Sequence, residues 1–137
     1  MRRLDDVGKL LCEYQKDLFE FSFDHTDCSS FIFIKEFCFS SLSKLMDKDE
    51  FITSSIDVPN ALEILEKEKG LKAGSTKISP AILGWIGYLY RYWSYTREIS
   101  TKSIYKKAKP NLLYGLYEAY HSMDVEEAVV RIEESKS

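Results

Sequence analysis

The stretch from Ser79 to Ser100 leaves this chain few ways to fold, because it holds both tryptophans and four of the nine tyrosines. Ser79 is a suitable N-cap, and Pro80 falls at the first helical position, where its missing N–H is no loss. At about 100° per residue, Ile82, Ile86, Leu89 and Trp93 form an aliphatic face, with Trp85, Tyr88, Tyr92 and Tyr95 beside it. Leu83 and Tyr90 widen the apolar arc, so that only Gly84, Gly87, Arg91 and Ser94 remain as a narrow strip of small and polar residues. A helix apolar around most of its circumference must be buried on several sides. The expectation is an all-α single domain over residues 1–137, with six or seven helices packed around a central aromatic helix at 80–97.

The rest of the chain supplies amphipathic partners for that helix. Leu4, Val7, Leu10, Leu11, Tyr14, Leu18 and Phe21 recur every three or four positions, with Asp5 and Asp6 in the first turn. Phe31-Ile32-Phe33-Ile34 alone would suit a buried strand, but Phe37, Cys38, Ser41, Leu42 and Leu45 continue a helical spacing and predict one helix from Ser30 to Met46. A polar connection, residues 47–56, carries Phe51 and Ile52. Asp57 then caps a helix with Pro59 in its first turn and Gly70 as its stop. Residues 70–78 read as the clearest loop and the most mobile segment. After the central helix, Ser100 or Thr101 caps a short helix, Pro110 opens another, and Asp124 with Glu127 three residues on begins the last, which frays from Glu133 to Ser137.

Composition narrows the class. With 45% hydrophobic and 14% aromatic residues the chain is not disordered. No apolar run approaches the ~18 residues of a membrane span. No hydrophobic signal region follows Met1-Arg2-Arg3, so a cytoplasmic protein is expected. Cys12, Cys28 and Cys38 are odd in number and contain no Cys-x-x-Cys pair, which suits reduced thiols, with Cys12 and Cys38, among leucines and phenylalanines, as small buried hydrophobes.

Charge is uneven along the chain. The total is -3, yet residues 91–109 carry Arg91, Arg97, Lys102, Lys106, Lys107 and Lys109 against Glu98 alone, a local +5. Interleaved with Tyr92, Trp93, Tyr95 and Tyr105, this island has the residue types that contact phosphates or an acidic partner. Its bland counterpart is a solvated lysine face. The short helix, Lys109-Pro110 turn and following helix resemble a helix-turn-helix in outline. However, residues 111–121 offer almost no long polar side chains for reading bases and place Glu118 where phosphate would repel it.

Catalytic signatures are scarce. His25 and His121 are far apart and form no zinc-ligand spacing, and His25, Asp27 and Cys28 lack a nearby fourth ligand. No phosphate-cradling glycine loop or nucleophile elbow is present. No catalytic residue, metal or cofactor is therefore assigned. One geometry could revive an RNA-directed enzyme: His121 as acid-base beside Arg91 or Arg97 as anion clamp.

Four patterns together resemble a known family. They are Phe33-Ile34 with Phe37, Cys38 and Ser40 or Ser41; Gly87 to Trp93 followed by Tyr95-Thr96-Arg97; Ser100 or Ser103 with Ile104-Tyr105-Lys106; and Tyr117 with Tyr120-His121 and Asp124. The chain resembles, over most of its length, small uncharacterised bacterial proteins common in Firmicutes and encoded near toxin-antitoxin type genes. The resemblance specifies no reaction. It implies a cytoplasmic antitoxin or accessory partner of a small toxin. The leading expectation is thus a non-enzymatic protein-interaction module, with Arg91, Tyr95, Arg97, Lys102, Tyr105, Lys106, Lys107 and His121 as partner- or anion-binding candidates. Self-association along the Gly84 and Gly87 strip is a further expectation, the other reading of those glycines being that they let a neighbouring helix of the same chain approach closely; a nucleic-acid-binding regulator using residues 91–109 is the alternative.

Overall fold

A computed structural model describes residues 1–48, 51 and 53–136. Among the described residues there are eight helices: α1 (Asp6–His25), α2 (Ser30–Cys38), α3 (Ser41–Asp47), α4 (Val58–Lys69), α5 (Pro80–Arg97), α6 (Thr101–Lys107), α7 (Pro110–Tyr120) and α8 (Val125–Ser135). The expected all-α bundle around the aromatic helix is what forms. Residues 31–34 are helical, and the only β pairing among the described residues is an isolated bridge between Cys28 and Ala73. No described helix is long and apolar enough to cross a membrane.

The principal contact is between α1 and α5, and the small residues decide it. Gly8 lies against Tyr95, Gln15 against Gly87 and Glu20 against Gly84, so the two helices run antiparallel. A Cβ on Gly87 would stand 2.8 Å from the backbone oxygen of Gln15 and 2.9 Å from the Phe19 ring. The strip of small residues on α5 is therefore the seat of α1 of the same chain, and it is not open to a second copy. Around this pair the core closes with Phe19 meeting Phe33 and Phe37 edge-on at 5.5 and 5.2 Å. Leu83, Ile86, Leu89, Tyr90 and Trp93 are all fully buried. Each such large apolar side chain contributes roughly 1.5–3 kcal/mol on burial.

Helix ends follow sequence chemistry in most places. Asp5, Asp57, Ser100 and Asp124 accept backbone N–H groups as N-caps, and Gly70 ends α4 in the left-handed region at φ 58°. Three expectations need correction. The helix expected from Ser30 to Met46 is broken, because Ser40 is extended; its hydroxyl donates to Phe37 O at 2.6 Å and accepts from the Ser43 N–H. Ser79 occupies the N-cap position of α5 without capping it, and Ser30 Oγ accepts the neighbouring Ile78 N–H instead. Residues 70–78, expected to be the most mobile, are stitched to residues 26–30. Gly74 N donates to Asp27 O, Ser30 N to Thr76 O, and Lys77 Nζ to the carbonyls of Thr26 and Cys28.

In the expected connection 47–56, Asp47 belongs to α3 and Phe51 packs edge-on to Tyr14 at 5.0 Å; Ile52 lies outside the described residues, as does Ser137 beyond α8. All three cysteines are free and buried, and desolvation raises each thiol, Cys12 to about 12.

Candidate functional site

Folding divides the basic segment into an internal half and an external half. Arg91 is fully buried. Its Nε donates to Gln15 Oε1 at 2.9 Å, Nη1 to Asp47 Oδ1 at 2.7 Å and Nη2 to Thr101 Oγ1 at 2.7 Å. Asp47 also accepts the Thr101 N–H at 3.0 Å, and Gln15 Nε2 donates to Gly87 O at 3.0 Å. One guanidinium thus binds α1, α3 and the start of α6 to α5. Such a fork suits arginine and no other cation, since its donors are fixed in one plane.

Arg97 is engaged in a different way. Its guanidinium meets Glu126 in a fork, Nη1 to Oε1 at 2.6 Å and Nη2 to Oε2 at 2.9 Å, and reaches Glu133 at 3.2 Å. The Tyr92 hydroxyl donates to the same Glu126 at 2.7 Å. These contacts fasten α8 to α5. The Arg97 hydrogen bonds, followed by that of Tyr92, outweigh burial and hold the Glu126 carboxyl below its ordinary range. Burial, then the Glu126 hydrogen bond, pushes the Tyr92 phenol up.

Tyr95 is buried as well. Its hydroxyl donates to Asp5 Oδ1 at 2.6 Å, and the Arg2 guanidinium sits over its ring at 3.9 Å. Arg91 and Tyr95 share a cavity of about 460 Å³ whose rim carries Lys44, Lys48 and Glu98. His121 lines another cavity, of about 590 Å³, with Trp85 and Tyr117, and its Nδ1 lies 2.8 Å from Tyr117 O. Arg91, Tyr95, Arg97 and His121 therefore do not converge, which removes the geometry of an acid-base paired with an arginine clamp.

The external half is α6. Lys102, Lys106, Lys107 and Lys109 are all exposed. Lys102 Nζ lies 5.2 Å from the centroid of Phe39, and Tyr105 packs its half-buried ring edge-on to the same phenylalanine at 5.5 Å. His25, near Asp27 and Cys28 in sequence, stacks on Phe21 at 3.7 Å. Among the described residues no group of His, Cys, Asp and Glu is placed to hold a metal ion.

Sequence reasoning missed Gln15, Asp47 and Thr101, the partners of Arg91. Gln15 did leave a trace: it interrupts the buried side of an amphipathic helix between Leu11, Cys12 and Leu18, where an uncharged polar group needs an internal partner. Asp47 and Thr101 left none, because each reads as an ordinary helix-end residue.

Comparison with protein-family models, with curated proteins and with solved structures finds no match.

Proposed function

We propose that this protein is a non-catalytic protein-interaction module, an antitoxin or accessory partner of a small bacterial toxin, and that it meets its partner through the exposed face of α6. One observation carries the reading. In a chain of net charge -3, both arginines of the basic segment are engaged internally, whereas Lys102, Lys106, Lys107 and Lys109 project to solvent on and just after one two-turn helix. A lysine ridge of this kind steers an acidic surface towards it and sets the register of docking. The resemblance to proteins encoded near toxin-antitoxin genes supplies the class of partner.

Nucleic-acid binding by the same ridge is less well supported. Of the four aromatics interleaved with the basic residues, Tyr92, Trp93 and Tyr95 are buried and Tyr105 is half-buried with its ring edge-on to Phe39, which leaves little platform on which bases stack.

The test is co-expression with the product of the adjacent gene, followed by titration calorimetry of the purified pair. The expected result is a complex that Lys106→Ala with Lys107→Ala weakens about tenfold or more, with salt reducing the affinity of the unsubstituted pair. A partner that binds the double variant undiminished would overturn the assignment to α6, and a chain that stays unbound would overturn the class.

A further inference from the structure

The cleft between α1 and α7 has a composition unlike the α6 ridge. Its floor is α5, with Gly84, Trp85 and Tyr88; one wall is α1, with Glu13 and Asp17; the other is α7, with Tyr117. The volume is about 590 Å³, the size of a small-ligand site. Trp85, Tyr88 and Tyr117 are each half-buried, so these three rings retain open surface inside the cleft. Trp85 meets Tyr117 edge-on at 5.6 Å and 81°, and Tyr117 stacks on His121 at 4.4 Å. The imidazole in turn contacts Tyr117 O through its Nδ1.

The cleft is net acidic, although Lys16 lines it together with Glu13 and Asp17. Glu13 and Asp17 stand one turn apart on α1 and are exposed, and among the described residues neither has an ion-pair partner. Lys16, the cation between them, is bound to Glu20 at 3.1 Å. The Tyr88 phenol registers the negative field: burial raises it first, and Cys12, Glu13 and Asp124 raise it further.

π faces attract cations through the ring quadrupole, and carboxylates at the rim add a direct Coulomb attraction. From this juxtaposition of Trp85, Tyr88 and Tyr117 with Glu13 and Asp17 we propose that the cleft binds an organic cation, an ammonium or guanidinium head group. An anion is repelled by the same rim, and a neutral apolar ligand leaves the two carboxylates without a counter-charge. No α6 lysine lines the cleft, so this site is independent of the surface assigned to partner docking. The head group is common to a free amine and to a lysine or arginine side chain of another protein.

The experiment titrates the full chain with choline, spermidine and the amide of Gly-Lys-Gly, following tryptophan emission and heat. Trp85 lies in the cleft, whereas Trp93 is buried, so a change in emission reports the site. Choline is expected to saturate, and its neutral isostere 3,3-dimethylbutanol to bind about tenfold more weakly. Glu13→Gln with Asp17→Asn, at two exposed positions, is expected to leave thermal unfolding unchanged and to weaken choline binding about tenfold at low salt. Trp85→Leu weakens it as well, read by heat. Tighter binding of the tripeptide amide than of choline or spermidine assigns the cation to a protein side chain, and the reverse order to a free amine. Equal binding of the neutral isostere, an undiminished double variant, or no saturation by any of the three cations overturns the proposal.

Discussion

Arg91 and Arg97 lie six residues apart on the same helix and are both ion-paired, yet they do different work. Arg91 is 1% exposed and its partner Asp47 15%. Arg97 is 12% exposed, but Glu126 and Glu133 are 35% and 36% exposed. The first pair sits where desolvation of either charge is severe and every donor matters. The second sits at the margin, where water solvates the carboxylates from one side. A buried ion pair contributes little net stability compared with a well-packed apolar pair, but it makes the loss of either member expensive. Position on one helix thus separates a residue that fixes how four helices meet from one that fastens the last helix to the rest.

The largest expected effect follows from that asymmetry. Arg91→Ala leaves Asp47 largely buried without its ion-pair partner and removes the donor to Gln15 Oε1, and the expected loss is about 3–5 kcal/mol in denaturant unfolding. For a domain whose total stability is about 5–15 kcal/mol, that is about a fifth or more of the whole. Arg91→Met combined with Asp47→Asn removes the stranded charge while keeping an acceptor for the Thr101 N–H, and should lose less than Arg91→Met alone. A loss below about 1 kcal/mol for Arg91→Ala would place it with exposed pairs and erase the distinction.

Arg97→Ala comes next, at about 1–2 kcal/mol, between the exposed and buried limits. Its signature is in pH. Because the folded Glu126 carboxyl titrates below its unfolded value, its contribution is present above the ordinary carboxylate range and is lost as pH falls through the lowered value. Stability of the unsubstituted chain should therefore decline on the acid side, and Arg97→Ala should flatten that decline. An acid limb unchanged by the substitution would mean that Arg97 and Glu126 are not coupled in solution.

The same contrast explains what could be read from sequence. The central helix was legible because its apolar residues cover nearly the whole circumference, and the caps at Asp57, Ser100 and Asp124 were legible because capping is local chemistry. The break at Ser40 was hidden, since a serine on a helical spacing gives no sign of whether its hydroxyl will bond its own backbone. The binding candidates divided on the same principle. Lysines on a short polar helix were expected at the surface and are there, whereas the partners of Arg91 come from residues 15, 47 and 101 and could be found only through long-range packing. Gly84 and Gly87 had two readings, and only the arrival of α1 chose between them.

The smallest effect concerns the turn just beyond the two arginines. Glu98 ends α5 at φ 56° and ψ 46°, the only described residue other than glycine with positive φ. Its N–H and that of Ile99 both reach Ser94 O, and the chain reverses so that Thr101 arrives at Asp47 and Arg91. A left-handed conformation costs an L-residue about 1–2 kcal/mol. Glycine escapes that cost but brings a more flexible unfolded chain, worth about 0.4–1 kcal/mol in the opposite sense. Glu98→Gly should therefore stabilise the protein by about 0.5–1 kcal/mol, while Glu98→Ala, which keeps the backbone strain, should leave stability close to unchanged. Denaturant melts of the two variants separate the backbone from the carboxylate. If Glu98→Gly gains and Glu98→Ala does not, the turn is held in its strained form by the Arg91 network that draws Thr101 inward. Destabilisation by both would instead give the Glu98 carboxylate, at the rim of the cavity beneath which Arg91 is buried, a role in holding the turn.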